Sequence, residues 1–216
     1  ESDDWGSIRM PSLEVREMLK DEGYTIDNCK FSSYDSLASS DDLSCLFDIL
    51  TSVKDINGNY AILTADSVVA NPDFQKIKES GYQQYYYEPF TETLKRYPVS
   101  HQNSFELWKE GLTSGIFIPQ LHGREHLNVV RWMNALQAGD EVTLHAFGQR
   151  HFGLSKLASD KLKVRYMDSF GNASADTIAI EDKVIREATD LFEKLFGFKS
   201  TSFIAPCYIW RESVEK

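Results

Sequence analysis

The chain has 216 residues and a formal net charge of −10, with 42% hydrophobic and 26% charged residues. A chain of this length can bury about 70–75% of the surface it exposes when unfolded, enough for one sizeable core. The acidic balance argues against nucleic-acid partners, because such binding rests on Lys and Arg neutralising phosphates and no basic stripe is present. No apolar run reaches the roughly 18 residues that a membrane span needs, and no signal-peptide pattern is visible.

In chain order, Ser12 can cap a helix carrying Leu13, Val15, Met18 and Leu19, stopped at Gly23. Ser39 or Ser40 opens a second, with Leu43, Leu46, Phe47 and Leu50 on one face, before Asn57-Gly58-Asn59 breaks the chain. Residues 60–64 read as a strand. Asn71-Pro72 reads as an N-cap and a first-turn proline, leading a helix with Phe74 and Ile77 to a stop at Gly81. Residues 85–87 are strand-like, and 104–111 form a short helix with Leu107 and Trp108.

The apolar run over 115–121 reads as a buried strand. Beyond it Leu127, Val130, Met133 and Leu136 repeat near 3.6, with Gly139 as the stop. The polar stretches 155–163 and 171–176 read as surface insertions. The clearest helix is 181–196, where Val184, Ile185, Ala188, Leu191, Phe192 and Leu195 form a stripe ended by Gly197. Residues 200–205 then read as a strand. Strands alternating with helices predict a parallel sheet or barrel, in one domain over 1–216.

Cys29, Cys45 and Cys207 are widely spaced and include no Cys-x-x-Cys pair, which argues against a structural zinc ribbon. Two other motifs carry ligand chemistry: Asp3-Asp4 in Ser-Asp-Asp-Trp-Gly, and His122 with His126 in His-Gly-Arg-Glu-His. On a helix, positions i and i+4 share one face about 5–6 Å apart at Cβ, so the two imidazoles are expected to converge on one ion. With one carboxylate they make three protein ligands, the number at which a hydrolytic metal centre keeps an open position. The other carboxylate is then free to act as a base. Each motif also has a plainer reading, a polar helix stripe for the histidines and a solvated turn for the aspartates. Successive strand residues face opposite sides, so only a bend at the strand end lets Asp3 and Asp4 reach one pocket. Arg124 and Glu125, between the histidines, are expected to point away as a solvated ion pair or groove contact.

These motifs resemble those of the polysaccharide deacetylase family, the NodB-type carbohydrate esterases, whose first motif ends in Asp-Asp and whose second is His-x-x-x-His. A third stretch, Ser202-Phe203-Ile204-Ala205-Pro206-Cys207-Tyr208, is similar to the family's Arg-x-Pro-Tyr strand, with Ile204 where the arginine falls. Longer phrases, including Val-Ala-Asn-Pro-Asp-Phe and Tyr-Tyr-Glu-Pro-Phe, resemble a bacterial subgroup of the same family.

The resemblance implies an α/β fold, a distorted (β/α) barrel of the NodB type. Asp3-Asp4 should close its first strand, so the barrel is expected to be incomplete at both ends and the chain a piece of a longer protein. It implies Asp3 as the catalytic base and Asp4, His122 and His126 as ligands of a divalent metal: zinc first, with cobalt, manganese or nickel as alternatives. The implied activity is hydrolytic removal of N- or O-acetyl groups from a glycan or polysaccharide. The alternative is a non-catalytic metal- or carbohydrate-binding protein of the same fold.

With Ile204 in the arginine position, Arg211 is the first choice to hold Asp3, ahead of Arg9 and Arg124. A backbone N–H near Tyr208 is the implied oxyanion donor. Trp5, Tyr208 and Trp210 are expected to contact substrate, with core packing as the rival reading, and Asp66 to line the site mouth. The family's general-acid histidine has no matching motif, which leaves His145 or His151 for that role.

Overall fold

The computed structural model describes residues 1–171 and 175–212. Among these the strands are β1 (Ser2–Trp5), β2 (Leu63–Val68), β3 (Ala70–Pro72), β4 (Tyr87–Pro89) and β5 (Phe117–Gly123). The helices are α1 (Leu13–Asp21), α2 (Lys30–Tyr34), α3 (Ser40–Ser52), α4 (Phe74–Glu79), α5 (Phe90–Leu94), α6 (Ser104–Thr113), α7 (Val129–Gln137), α8 (Glu141–Gly148) and α9 (Ala175–Phe196). The main sheet is parallel, in the order β1-β2-β5, and β3 with β4 forms a small antiparallel pair. Parallel neighbours need long crossovers. Here α1 to α3 lie between β1 and β2, and β3 to α6 between β2 and β5.

The α/β class and the parallel sheet agree with the sequence. Beyond β5 only Phe203 continues the sheet, through one parallel bridge to Leu121. Among the described residues the sheet therefore stays open, with no closed barrel, and 200–205 contributes one bridge in place of a full strand.

Apolar burial on both sides holds the sheet. On one side Trp5 packs edge-on to Phe117 at 4.9 Å and to Trp108 of α6 at 5.9 Å. Leu43 of α3, Ala65 and Phe90 complete that cluster. Ala188 and Phe192 of α9 pack with Leu121 and Val69. A third cluster gathers Leu127, Trp132, Phe147, Leu154 and Leu162. Burying each such large side chain contributes about 1.5–3 kcal/mol, which is what fixes helices of modest intrinsic stability against the strands.

Local signals placed most helix starts. Ser12 accepts from Val15 N at 3.2 Å, and Ser39 with Asp42 forms a capping box on α3. Several assignments differ from expectation. The strand over 60–64 lies at Leu63–Val68, because β2 carries Thr64, Asp66 and Ser67 and so lacks the apolar pattern of a buried strand. Asn71 and Pro72 belong to β3, and Asp73 caps α4 by accepting from Lys76 N at 3.1 Å. The Asn71 side chain is instead spent across the fold: it accepts from Ile8 N at 3.2 Å and donates to Gly6 O at 3.0 Å.

The stretch 155–163 is not a surface insertion. Ser155 and Ser159 satisfy their own turns, which leaves Leu154, Ala158 and Leu162 free to enter the core. The helix expected from 181 begins at Ala175; of the loop expected over 171–176, residues 172–174 lie outside the described residues. α8 had no counterpart in the sequence reading, although Asp140 caps it by accepting from Thr143 N at 2.8 Å. No helix among the described residues is long and apolar enough to cross a membrane.

Gly6 fixes how closely β1 ends against β2. Its φ is +79°, and a Cβ there would lie 2.4 Å from Val68 O. Only glycine accepts both the left-handed backbone and that approach.

Candidate metal centre

The Asp3-Asp4 pair leaves β1 through a bend. Asp4 has φ +68°, rare for a non-glycine residue, and the β1–β2 register slips between Ser2 and Trp5. The strain lets consecutive carboxylates line one cavity instead of facing opposite sides of a sheet.

His122 is the penultimate residue of β5. His126 lies in the loop before α7, so the pair sits where the strand hands over to the helix, as expected, but the rings do not share a helix face at i, i+4. A strand end and a following loop bring the rings to 5.3 Å between centroids. The helix over 129–137 only follows them, started by Asn128, which accepts from Arg131 N at 3.1 Å.

The three side chains converge on one atom. Asp4 Oδ1 lies 3.3 Å from His122 Nε2 and 3.1 Å from His126 Nε2. One ligand atom from each residue lies within 4.8 Å of the others. His122 Nδ1 is 2.7 Å from the carbonyl oxygen of Ile204. A carbonyl only accepts, so Nδ1 carries the proton and a neutral ring presents a bare Nε2. That lone pair then faces a carboxylate oxygen, and neither His122 Nε2 nor Asp4 Oδ1 has a hydrogen-bond partner.

Two opposed acceptors at this distance repel unless a cation sits between them. Two metal–ligand bonds of about 2.0–2.1 Å at a tetrahedral angle separate their donor atoms by about 3.3 Å, close to the spacing found here. The residues present therefore fit a divalent metal.

The electrostatics agree. Burial lowers the His126 pKa to about 3, helped by the Arg9 charge, which keeps the ring neutral and ligand-competent. Burial alone would raise Asp4, but the Arg9 guanidinium beside its Oδ2 is among the groups that outweigh it and hold its carboxyl well below the usual range.

Arg9 is one of the residues that sequence reasoning placed wrongly. It was a candidate to hold Asp3; instead its Nη2 donates to Asp4 Oδ2 at 2.9 Å, while its Nε lies 2.9 Å from Asp35 Oδ2. Arg9 is only 3% exposed. A Cβ on Gly153 would lie 2.8 Å from its Cβ, and its guanidinium stacks 5.1 Å over Phe31. With Oδ2 held, Oδ1 is aimed at the histidines. Breaking such a buried pair typically costs about 3–5 kcal/mol. Burial raises Asp35 to about 7, against the pull of Arg9. Nothing in the Ser-Tyr-Asp-Ser stretch signalled Asp35 beforehand.

Asp3 is exposed, and its Oδ2 accepts from the Tyr208 hydroxyl at 3.2 Å. Arg211 does not reach it: that guanidinium donates to Glu181 of α9 at 2.6 and 2.9 Å. The Tyr208 N–H donates to Ala205 O at 2.8 Å, closing a tight turn in which Cys207 and Tyr208 both have positive φ. In this conformation that N–H is committed and is no oxyanion donor.

Trp5 is half-buried, packs into the core and also lines the cavity beside Asp4. Tyr208 and Trp210 line a separate groove of about 540 Å³ along 200–204. Arg124 and Glu125 form a buried ion pair, with Arg124 4.3 Å over the Tyr87 ring, so the solvated reading was incorrect. His145 pairs with Glu22 at 2.6 Å on the surface. His151 is fully buried, with no hydrogen-bond partner on either nitrogen, and burial lowers it to about 4.

Asp66 lies within β2, fully buried, and does not line the site mouth. Both of its oxygens lack a hydrogen-bond partner, and burial, with the nearby Glu1 charge, raises it to about 6. Between its ordinary value of 3.8 and about 6 the folded chain keeps a proton that the unfolded chain has lost. Stability is therefore expected to fall as pH rises through that window and to level off above it. Asp66→Asn should flatten this slope in urea denaturation series from pH 4 to 7. An unchanged slope would assign the proton to another group.

No protein-family model, curated protein or solved structure matches the chain.

Proposed function

We propose that the chain is the catalytic region of a metal-dependent hydrolase that removes acetyl groups from a glycan, with zinc as the first choice of metal. The observation that carries this reading is the convergence of His122 and His126 on Asp4 Oδ1, with Asp3 opening into the same cavity. The barrel of the resembled family belongs to the same proposal: β1, β2, β5 and the Phe203 bridge succeed one another in chain order across the sheet, as consecutive barrel strands do.

Asp4, His122 and His126 would hold the metal, which when bound supplies Lewis-acid polarisation and acidifies water. Asp3 takes the proton as water adds to the acetyl carbonyl. Tyr208 orients Asp3 through its hydroxyl. Ile204 acts through its carbonyl, which fixes the tautomer of His122, and Arg9 sets the angle of Asp4. The leaving amine or alkoxide takes up a proton, and acetate departs.

The non-catalytic reading of the same site is favoured by two observations: the Tyr208 N–H is committed to Ala205, and no cation holds Asp3 among the described residues. Acetate release separates the two. With added zinc or cobalt, turnover is expected on at least one of a panel of N- and O-acetylated oligosaccharides. No acetate from any of them, at full metal occupancy, would leave the non-catalytic reading.

A further inference from the structure

The segment over 7–11 borders two sites. Arg9 turns to Asp4 and Asp35, whereas Ile8 and Met10 line a cavity of about 790 Å³. That volume lies within the usual range for small-molecule sites. Phe74 and Tyr97 add aromatic walls. Leu13 and Tyr34, 70% and 64% exposed, give it an apolar rim. Large apolar side chains left in water singly are ordinary, but grouped around a cavity they mark a binding surface.

Most polar groups of the lining are already engaged. Asn71 donates to Thr93 at 3.4 Å, Thr93 donates to Glu88 at 2.9 Å, and Arg96 pairs with both Glu88 oxygens. Ser33 donates to Ile26 O at 2.7 Å, and a His101 ring nitrogen lies 3.1 Å from Leu37 O. A ligand rich in hydroxyls therefore finds few open partners here. Arg150 is the charged exception: it lies on the wall, exposed, and its guanidinium has no ion-pair or hydrogen-bond partner among the described residues. In a chain of net charge −10, the free charge of this wall is positive.

We propose that this cavity takes an amphiphile with a single anionic head, of which a medium-chain carboxylate is the simplest. The apolar chain lies against Ile8, Met10 and Phe74, and the head meets Arg150. The site is separate from the metal group and does not depend on the hydrolase reading.

The lining selects this ligand over its rivals. Each methylene buried against apolar walls is worth about fourfold in affinity. A carboxylate head adds a charge-assisted hydrogen bond to the guanidinium. An alcohol head lacks the charge, and an ammonium head meets like charge.

The test is calorimetric titration at pH 7 with hexanoate, octanoate, octanol and octyltrimethylammonium, each below its micelle-forming concentration. One octanoate is expected per chain, about tenfold tighter than hexanoate and about tenfold tighter than the other two octyl compounds. Bound octanoate is also expected to raise the unfolding temperature. Arg150 has φ +57°, which glycine accepts, so Arg150→Gly keeps the turn. That variant is expected to erase the head preference and keep the dependence on chain length. Arg186→Ala, at an exposed position of α9 outside the wall, is expected to change neither.

Equal affinity for the three heads, no gain with chain length, or a head preference that survives Arg150→Gly would overturn the assignment. So would octanoate binding that requires zinc, which would place the carboxylate on the metal. Sedimentation is expected to show the same mass with and without octanoate. A dimer that Leu13→Glu disperses would give the rim to a second copy of the chain and overturn the assignment as well.

Discussion

Zinc affinity is expected to fall a hundredfold or more when Asp4 is replaced by asparagine. The change removes the one anionic donor of the group and leaves two neutral imidazoles, a poor ligand set for a divalent cation. It also takes from Arg9 one of its two carboxylate partners. Competition against a chromophoric chelator gives the affinity directly. Thermal unfolding gives it by linkage: metal at a hundred times its dissociation constant stabilises by about 2.7 kcal/mol, a shift that Asp4→Asn should lose. If the variant binds zinc within threefold of the parent chain, Asp4 is no ligand.

Asp3→Asn is expected to leave metal affinity intact and lower acetate turnover by about 10²–10⁴, the usual contribution of a positioned base. The side chain is isosteric and can still accept from the Tyr208 hydroxyl, so geometry is preserved while basicity is lost. Loss of both metal and turnover would make Asp3 a ligand. Near-normal turnover with metal retained would remove it from the chemistry.

Much of the fold was readable because it is written in side-chain type. Ser12 and Ser39 cap, the stripe from Val184 to Leu195 repeats at helical period, and both contribute where expected. The ligand set was readable for a similar reason, since imidazole and carboxylate are the donors that such a metal takes. The mechanism of convergence was not. A four-residue spacing fits a helix, yet β5 ends at Gly123 and a loop turns His126 back.

What escaped the sequence acts through backbone or through distance. Ile204 was weighed for the side chain it lacks, and it contributes a carbonyl, which every residue type carries. Gln120 was not singled out, yet its Oε1 accepts from the N–H groups of Thr201 and Ser202 and seats that segment beside β5. Arg211 was assigned by nearness in the chain, and the fold presents it to Glu181, which α9 carries closer. Arg9 finds Asp4 only because the bend after β1 turns the chain back past Asp35. The polar residues of 155–163 hid a buried turn, because serines that satisfy their own backbone look like solvated ones.

The central claim is that Asp4, His122 and His126 form one metal site, and calorimetric titration of the metal-free chain with zinc at pH 7 tests it most directly. The account predicts one site per chain with submicromolar affinity, and binding that is lost as the pH falls and protons compete for the imidazoles. Heats indistinguishable from dilution, or zinc binding that survives the loss of both histidines, would contradict it.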